Sequence, residues 1–137
     1  MAQTTNVAHL LKRLGDHAHR RLAVLLEPLG LRPRHLGLLA LVEEAPMAQL
    51  DLARAVGVAP SVVVDMLDEL DALGAVRRVR DRADRRRQLV ELTDAGRALH
   101  RKANARLADV ETEMIAPLSP SAANALRKAL TTLAAQL

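Results

Sequence analysis

Seven arginines fall within residues 76–90, against only two acids, Asp81 and Asp84. No other stretch of this 137-residue chain is so one-sided, and the whole chain carries a formal net charge of only +4. The segment is also patterned. Residues 75–80 (AVRRVR) and 88–92 (QLVEL) alternate or carry β-branched residues as short strands do, and a polar turn, DRADRR, lies between them. This predicts a β-hairpin with a basic tip, a form suited to a polyanion. The alternative at this point is a solvated loop. By contrast, residues 31–75 carry three bases and seven acids, so the positive charge is local.

The remainder reads as helix. From Val7 to Leu29, apolar residues recur in steps of three and four, and Pro28 and Gly30 end the stripe. A second helix starts near Pro33 and runs through HLGLLALVEEA, apolar nearly all round and therefore central. Met47–Val56 reads as a short third helix and Ser61–Leu73 as a fourth, stopped by Gly74. Thr93 is a suitable N-cap for a fifth helix running to Pro117, and Ser119 followed by Pro120 opens a sixth. The expected fold is mainly α with a small β-hairpin (α+β).

The third and fourth helices carry a further pattern. Ala53, Gly57 and Val63 provide a small residue where two helices cross, a residue tolerant of positive φ at the turn, and an aliphatic anchor facing back to the core. On its own this spacing also suits an ordinary helical corner. A basic hairpin directly after it makes a winged helix-turn-helix, in which a helix enters the major groove and the wing's arginines reach phosphates and the minor groove.

Several classes of function lack their parts. The chain has no Cys, Phe, Tyr or Trp, which removes disulfides, thiolate metal sites, cysteine nucleophiles and base stacking on aromatic platforms. There is no GxSxG elbow, no phosphate-cradling glycine loop and no HExxH, so no enzyme is expected. His17 and His19 are two residues apart and point about 200° apart on a helix, so a shared metal ion is not expected. No cofactor is implied. The longest apolar run, Leu36–Val42, is far short of the roughly 20 residues of a membrane span, and the N-terminus lacks the apolar block of a signal peptide. A soluble cytoplasmic protein with no membrane contact is predicted.

The chain resembles the MarR family of bacterial transcription regulators along essentially its whole length. Asp81-Arg82-Ala83-Asp84-Arg85-Arg86 fits the family's DxxDRR wing pattern, and Leu92-Thr93-Asp94-Ala95-Gly96-Arg97 fits LTxxGR. Leu52-Ala53 with Gly57-Val58-Ala59-Pro60-Ser61 fits LAxxxGVxxS, and Leu70 through Gly74-Ala75-Val76 fits LxxxGxV. The resemblance implies one domain over 1–137, with a winged helix-turn-helix core at 31–92 and dimerisation helices at 1–30 and 93–137. It further implies a homodimer, usually a repressor, that reads a palindromic operator in double-stranded DNA. The long apolar stripes of the terminal helices independently suggest an interface.

Arg85 is expected at the wing tip in the minor groove, with Asp84 holding the tip in shape. Arg82, Arg86 and Arg87 are expected as phosphate contacts or ion-pair partners. On the recognition helix, Ser61, Val62, Val64 and Asp65 are the expected groove contacts, with Arg54 nearby. Val62 and Val64 suit thymine methyls, and Asp65 suits cytosine N4. Here the chain departs from the family, which commonly has an Arg in mid-helix. Asp65, Asp68, Glu69 and Asp71 oppose DNA electrostatically, so affinity rests on the wing and on Arg32, Arg34 and Arg54. The competing reading is a ligand-binding or protein-interaction dimer with weak or lost specific DNA binding. By resemblance, a small aromatic or phenolic acid effector would bind between the first, second and fifth helices. The candidate contacts there are Arg13, His17, Arg20 and His35.

Overall fold

In a computed structural model, which describes residues 5–137, the chain forms α1 (Val7–Leu26), α2 (Arg34–Glu44), β1 (Met47–Ala48), α3 (Gln49–Val56), α4 (Pro60–Ala72), β2 (Val76–Arg80), β3 (Gln88–Leu92), α5 (Asp94–Ile115) and α6 (Pro120–Ala134). The side chains of Asn6, Thr93 and Ser119 cap α1, α5 and α6 by accepting from the backbone N–H groups of His9, Gly96 and Ala122. The expected first helix is three residues shorter. Pro28 forces Glu27–Leu29 into a single turn of 3-10 helix, and Gly30 closes it in the left-handed conformation.

The second difference is at Met47. The sequence reading starts a helix there, but Met47 and Ala48 instead pair antiparallel with Val90 and Leu89. The helix begins only at Gln49. The sheet order is therefore β1-β3-β2, with Val76 opposite Leu92 and Arg80 opposite Gln88. The third strand closes one edge of the hairpin and ties it to the start of α3.

The core is aliphatic throughout. Leu26, Leu38, Leu39, Leu52, Val63, Leu67, Leu70, Val90 and Leu92 are essentially inaccessible to solvent, each contributing about 1.5–3 kcal/mol by burial. α2 lies at the centre, as its near-uniform apolar character requires. The helical corner has the expected parts: Ala53 and Val63 are buried, and Gly57 has φ +72°. The N–H groups of Gly57 and Val58 both donate to the Ala53 carbonyl and close α3. α5 enters beside the wing so closely that a Cβ on Gly96 would lie 1.9 Å from the Ala75 carbonyl oxygen.

The termini differ from this core. No residue of α6 is buried. Leu126, Leu130 and Leu133 are exposed along it, as are Val7, Leu10, Leu11 and Leu14 on α1. Arg21 on α1 grips Glu113 on α5 with two 3.0 Å hydrogen bonds, which hold the Glu113 carboxyl below its usual range.

Candidate nucleic-acid interface

The wing tip is shaped by its two aspartates. The Asp81 carboxylate accepts from the Ala83 N–H at 2.9 Å, and the Asp84 carboxylate accepts from the Arg86 N–H at 3.1 Å. Arg86 Nε also donates to Asp84 at 3.2 Å. These two bonds from Arg86 hold the Asp84 carboxyl below the usual carboxylate range. Asp84 thus organises the turn, as the sequence reading expects, and its charge is spent inside the turn.

The arginines of the hairpin divide into two groups. Arg77 pairs with Glu91 at 2.6 Å, and Arg87 pairs with Asp51 on α3 at 2.8 Å. Arg78 bridges to Asp68 at 2.9 Å and Asp71 at 3.8 Å on α4, and its Nε donates to Gln49 at 3.3 Å. Arg77 thus pairs across the hairpin itself, while Arg78 and Arg87 fasten the wing to the helices. Arg80, Arg82 and Arg85 are exposed and have no ion pair among the described residues. Arg86 is 91% exposed and still presents most of its guanidinium to solvent despite Asp84. Arg80 was not singled out from sequence; its alternation with Val79 in an exposed strand end was the available signal.

On α4, Ser61 and Asp65 are exposed, and Asp65 has no ion pair among the described residues. Val62 and Val64 are partly buried, and Val62 packs against the core. They present less surface than Ser61 and Asp65 do. Arg54 is 82% exposed and only loosely paired with Asp51, at 3.9 Å.

The acids of α4 also need a different account. Glu69 pairs with Arg34, while Asp68 and Asp71 face Arg78. Three of the four acids are therefore met by an arginine within the chain, and only Asp65 projects bare charge. Consequently Arg34 is engaged with Glu69, whereas Arg32 is exposed and has no ion pair among the described residues.

The four candidate effector residues are not brought together. Arg13, His17 and Arg20 line one shallow groove of about 420 Å³ along α1, with Asp16 between them. His35 is fully buried elsewhere, facing Glu69 at 3.5 Å. It falls on the inner side of α2, which the apolar run around it dictates. His100, also buried, joins Glu43 at 2.9 Å and so links α5 to α2. Among the described residues, no three His, Asp or Glu side chains converge as a metal site would need, and no helix is long and apolar enough to cross a membrane.

Comparison with known proteins bears on this geometry directly. The family model described as MarR family matches residues 29–87. CouR from Rhodococcus jostii RHA1 bound to p-coumaroyl-CoA is 31% identical, covering 97% of this chain and 96% of its own, with a TM-score of 0.78. The transcriptional repressor CouR bound to a 23-mer DNA duplex aligns at 29% identity over 94% and 92% of the two chains, with a TM-score of 0.81. A MarR family protein of Mycobacterium tuberculosis in complex with salicylic acid aligns at 27% identity over 97% and 99%, with a TM-score of 0.77. No curated protein sequence matches the chain significantly.

Proposed function

Since this chain belongs to the MarR family of transcriptional regulators, we propose that it acts as a homodimeric repressor, reading a palindromic operator and released by a small organic acid. The observation that carries this reading is the division of the wing's arginines: Arg77, Arg78 and Arg87 are engaged in ion pairs, while Arg80, Arg82 and Arg85 stand free. Free guanidiniums at the tip of a rigid hairpin suit phosphates and the narrow minor groove. Beside them, α4 offers Ser61 and Asp65 to the major groove, with Val62 and Val64 at the margins.

Dimerisation is supported by α1 and α6. Their exposed leucine stripes are not folded back onto the chain's own core, and an apolar face of that length favours a partner. A second copy would bring two recognition helices to a separation of roughly 34 Å, one turn of duplex. The effector reading is supported by the aromatic ligands of the relatives, p-coumaroyl-CoA and salicylic acid.

The reading of a dimer without specific DNA binding drew its force from the acids of α4. Their pairing with Arg34 and Arg78 weakens that objection, since three of the four charges are compensated. The experiment is a mobility shift with the DNA upstream of the protein's own gene at two salt concentrations. Sequence-specific binding persists at moderate salt against competitor DNA; binding that collapses equally on every duplex contradicts the proposal.

A further inference from the structure

α2 carries a polar joint at each end. At its start, Arg34 pairs with Glu69 of the recognition helix α4. At its end, the Glu43 carboxylate accepts from His100 Nδ1 on α5 at 2.9 Å. With that proton on Nδ1, His100 Nε2 is an acceptor, and the Asn104 amide, one turn farther along α5, donates to it at 3.4 Å. The His100 ring is buried, so both of its nitrogens are met inside the protein.

α5 is seated on the wing at its start, where the Thr93 N–H donates to the Ala75 carbonyl at 3.0 Å and Gly96 lies against the same group. Near its far end, Glu113 ties it to Arg21 on α1. Among the described residues, His100 is the one α5 side chain with a hydrogen bond or ion pair to any element from α2 to β3. Its neighbour in the core is Ala103, whose apolar contact has no direction of its own, whereas a hydrogen bond fixes distance and angle. Residues 104–109 beyond it are exposed. α2 has 11 residues, a length of roughly 16 Å. A turn of about 10° at its Glu43 end therefore carries the Arg34 end, and α4 with it, by roughly 3 Å, close to the rise of one base pair.

We propose, on the homodimer reading above, that the joint of Glu43, His100 and Asn104 sets the half-site spacing this protein reads. Each joint fixes α4 relative to its own α5. With two copies clasped by their terminal helices, the two joints together fix the separation of the two recognition helices. Glu43 and His100 touch no DNA in this role; they are positioning residues. Breaking the joint leaves the aliphatic core and the wing intact, so each half-site is still read, while the distance between the two readings is no longer held to one value.

The chain has no cysteine, so Ala72→Cys, at the exposed end of α4, places one nitroxide label on each copy. Pulsed dipolar spectroscopy of the free full-length protein then reads the separation of the two α4 helices. The parent gives one narrow distribution. His100→Leu, which keeps the buried volume, and Glu43→Ala each broaden it by roughly 3 Å or more. Glu43→Gln, which still accepts from Nδ1, restores the narrow form. On duplexes with half-sites about 9 to 12 base pairs apart, the parent favours its best spacing by about tenfold or more, and the two broken variants by about threefold or less. The two substitutions alter opposite sides of the joint, so if one fails to fold the other decides. An unchanged distance distribution overturns the proposal, as does a Glu43→Gln chain that stays broad. So does an unchanged spacing preference, including affinity lost equally at every spacing. Labels that show no coupling, on a chain that sediments as one subunit, overturn the homodimer reading and the joint's role with it. Coupled labels on a protein that prefers no duplex contradict the repressor reading instead.

Discussion

Arg78 Nη2, on the second strand, lies 2.9 Å from the Asp68 carboxylate of the recognition helix. The same guanidinium reaches Asp71 and Gln49, so one side chain joins the wing to both helices of the helix-turn-helix. Removing it releases two acids beside the DNA-facing surface and frees the wing from α4. Arg78→Ala is expected to cost about 1 kcal/mol of stability or less, since its partners are largely exposed. Operator affinity is expected to fall by about tenfold or more. Thermal melts beside mobility shifts check this; a parallel loss of both, or neither, contradicts the positioning role.

The free arginines and the free acid are expected to behave differently. Arg85→Ala weakens binding on all duplexes and reduces the slope of log affinity against log salt by about one. Asp65→Asn leaves that slope nearly unchanged and alters which base pair is preferred at one position of each half-site. Salt titrations on two duplexes separate the effects.

Gly96 is held against the chain entering the wing. A methyl group there would lie 1.9 Å from the Ala75 carbonyl oxygen and 2.8 Å from its carbon, both backbone atoms. Gly96→Ala therefore has to move α5 or β2, and it is expected to destabilise the chain by more than about 2 kcal/mol. Gly15→Ala, whose Cβ would meet nothing within 4 Å, serves as the control and is expected to be neutral or stabilising in denaturant unfolding.

His35 gives the protein an acid sensitivity of defined sign. Burial lowers its pKa below the ordinary 6.5. As pH falls below 6.5, the unfolded chain takes up a proton at this ring and the folded chain does not, so stability declines until the folded value is reached. Above pH 6.5 the residue adds no slope. His35→Gln is expected to flatten the part of the stability curve just below pH 6.5, whatever its effect on absolute stability. Chemical denaturation at several pH values reads this; an unchanged slope contradicts it.

Local signals made most of the architecture legible. Helix caps at Thr93 and Ser119, the Gly57 turn and the alternating strands all act through neighbours a few residues away. What was not legible depended on distant partners. Met47 and Ala48 are strand only because Val90 and Leu89 lie beside them, and two residues carry no period. Val62 faces outward on a helical wheel, yet it packs against the assembled core, and Val64 is also partly buried. The acids of α4 looked hostile to DNA because Arg34 and Arg78, their partners, come from other elements. A charge count along the chain contains no information about such pairing. His35 reads as a pocket residue for the same reason: its polarity is visible in sequence, while its complete burial is a property of the assembled core.

The central claim is that a pair of these chains reads DNA sequence. Selection of bound duplexes from a random pool, followed by footprinting of the winners with purified protein, measures it directly. The expected result is an inverted repeat with half-sites about 10 base pairs apart, protected by two chains per duplex. A pool that stays random through successive rounds, or protection by a single chain without a repeat, contradicts it.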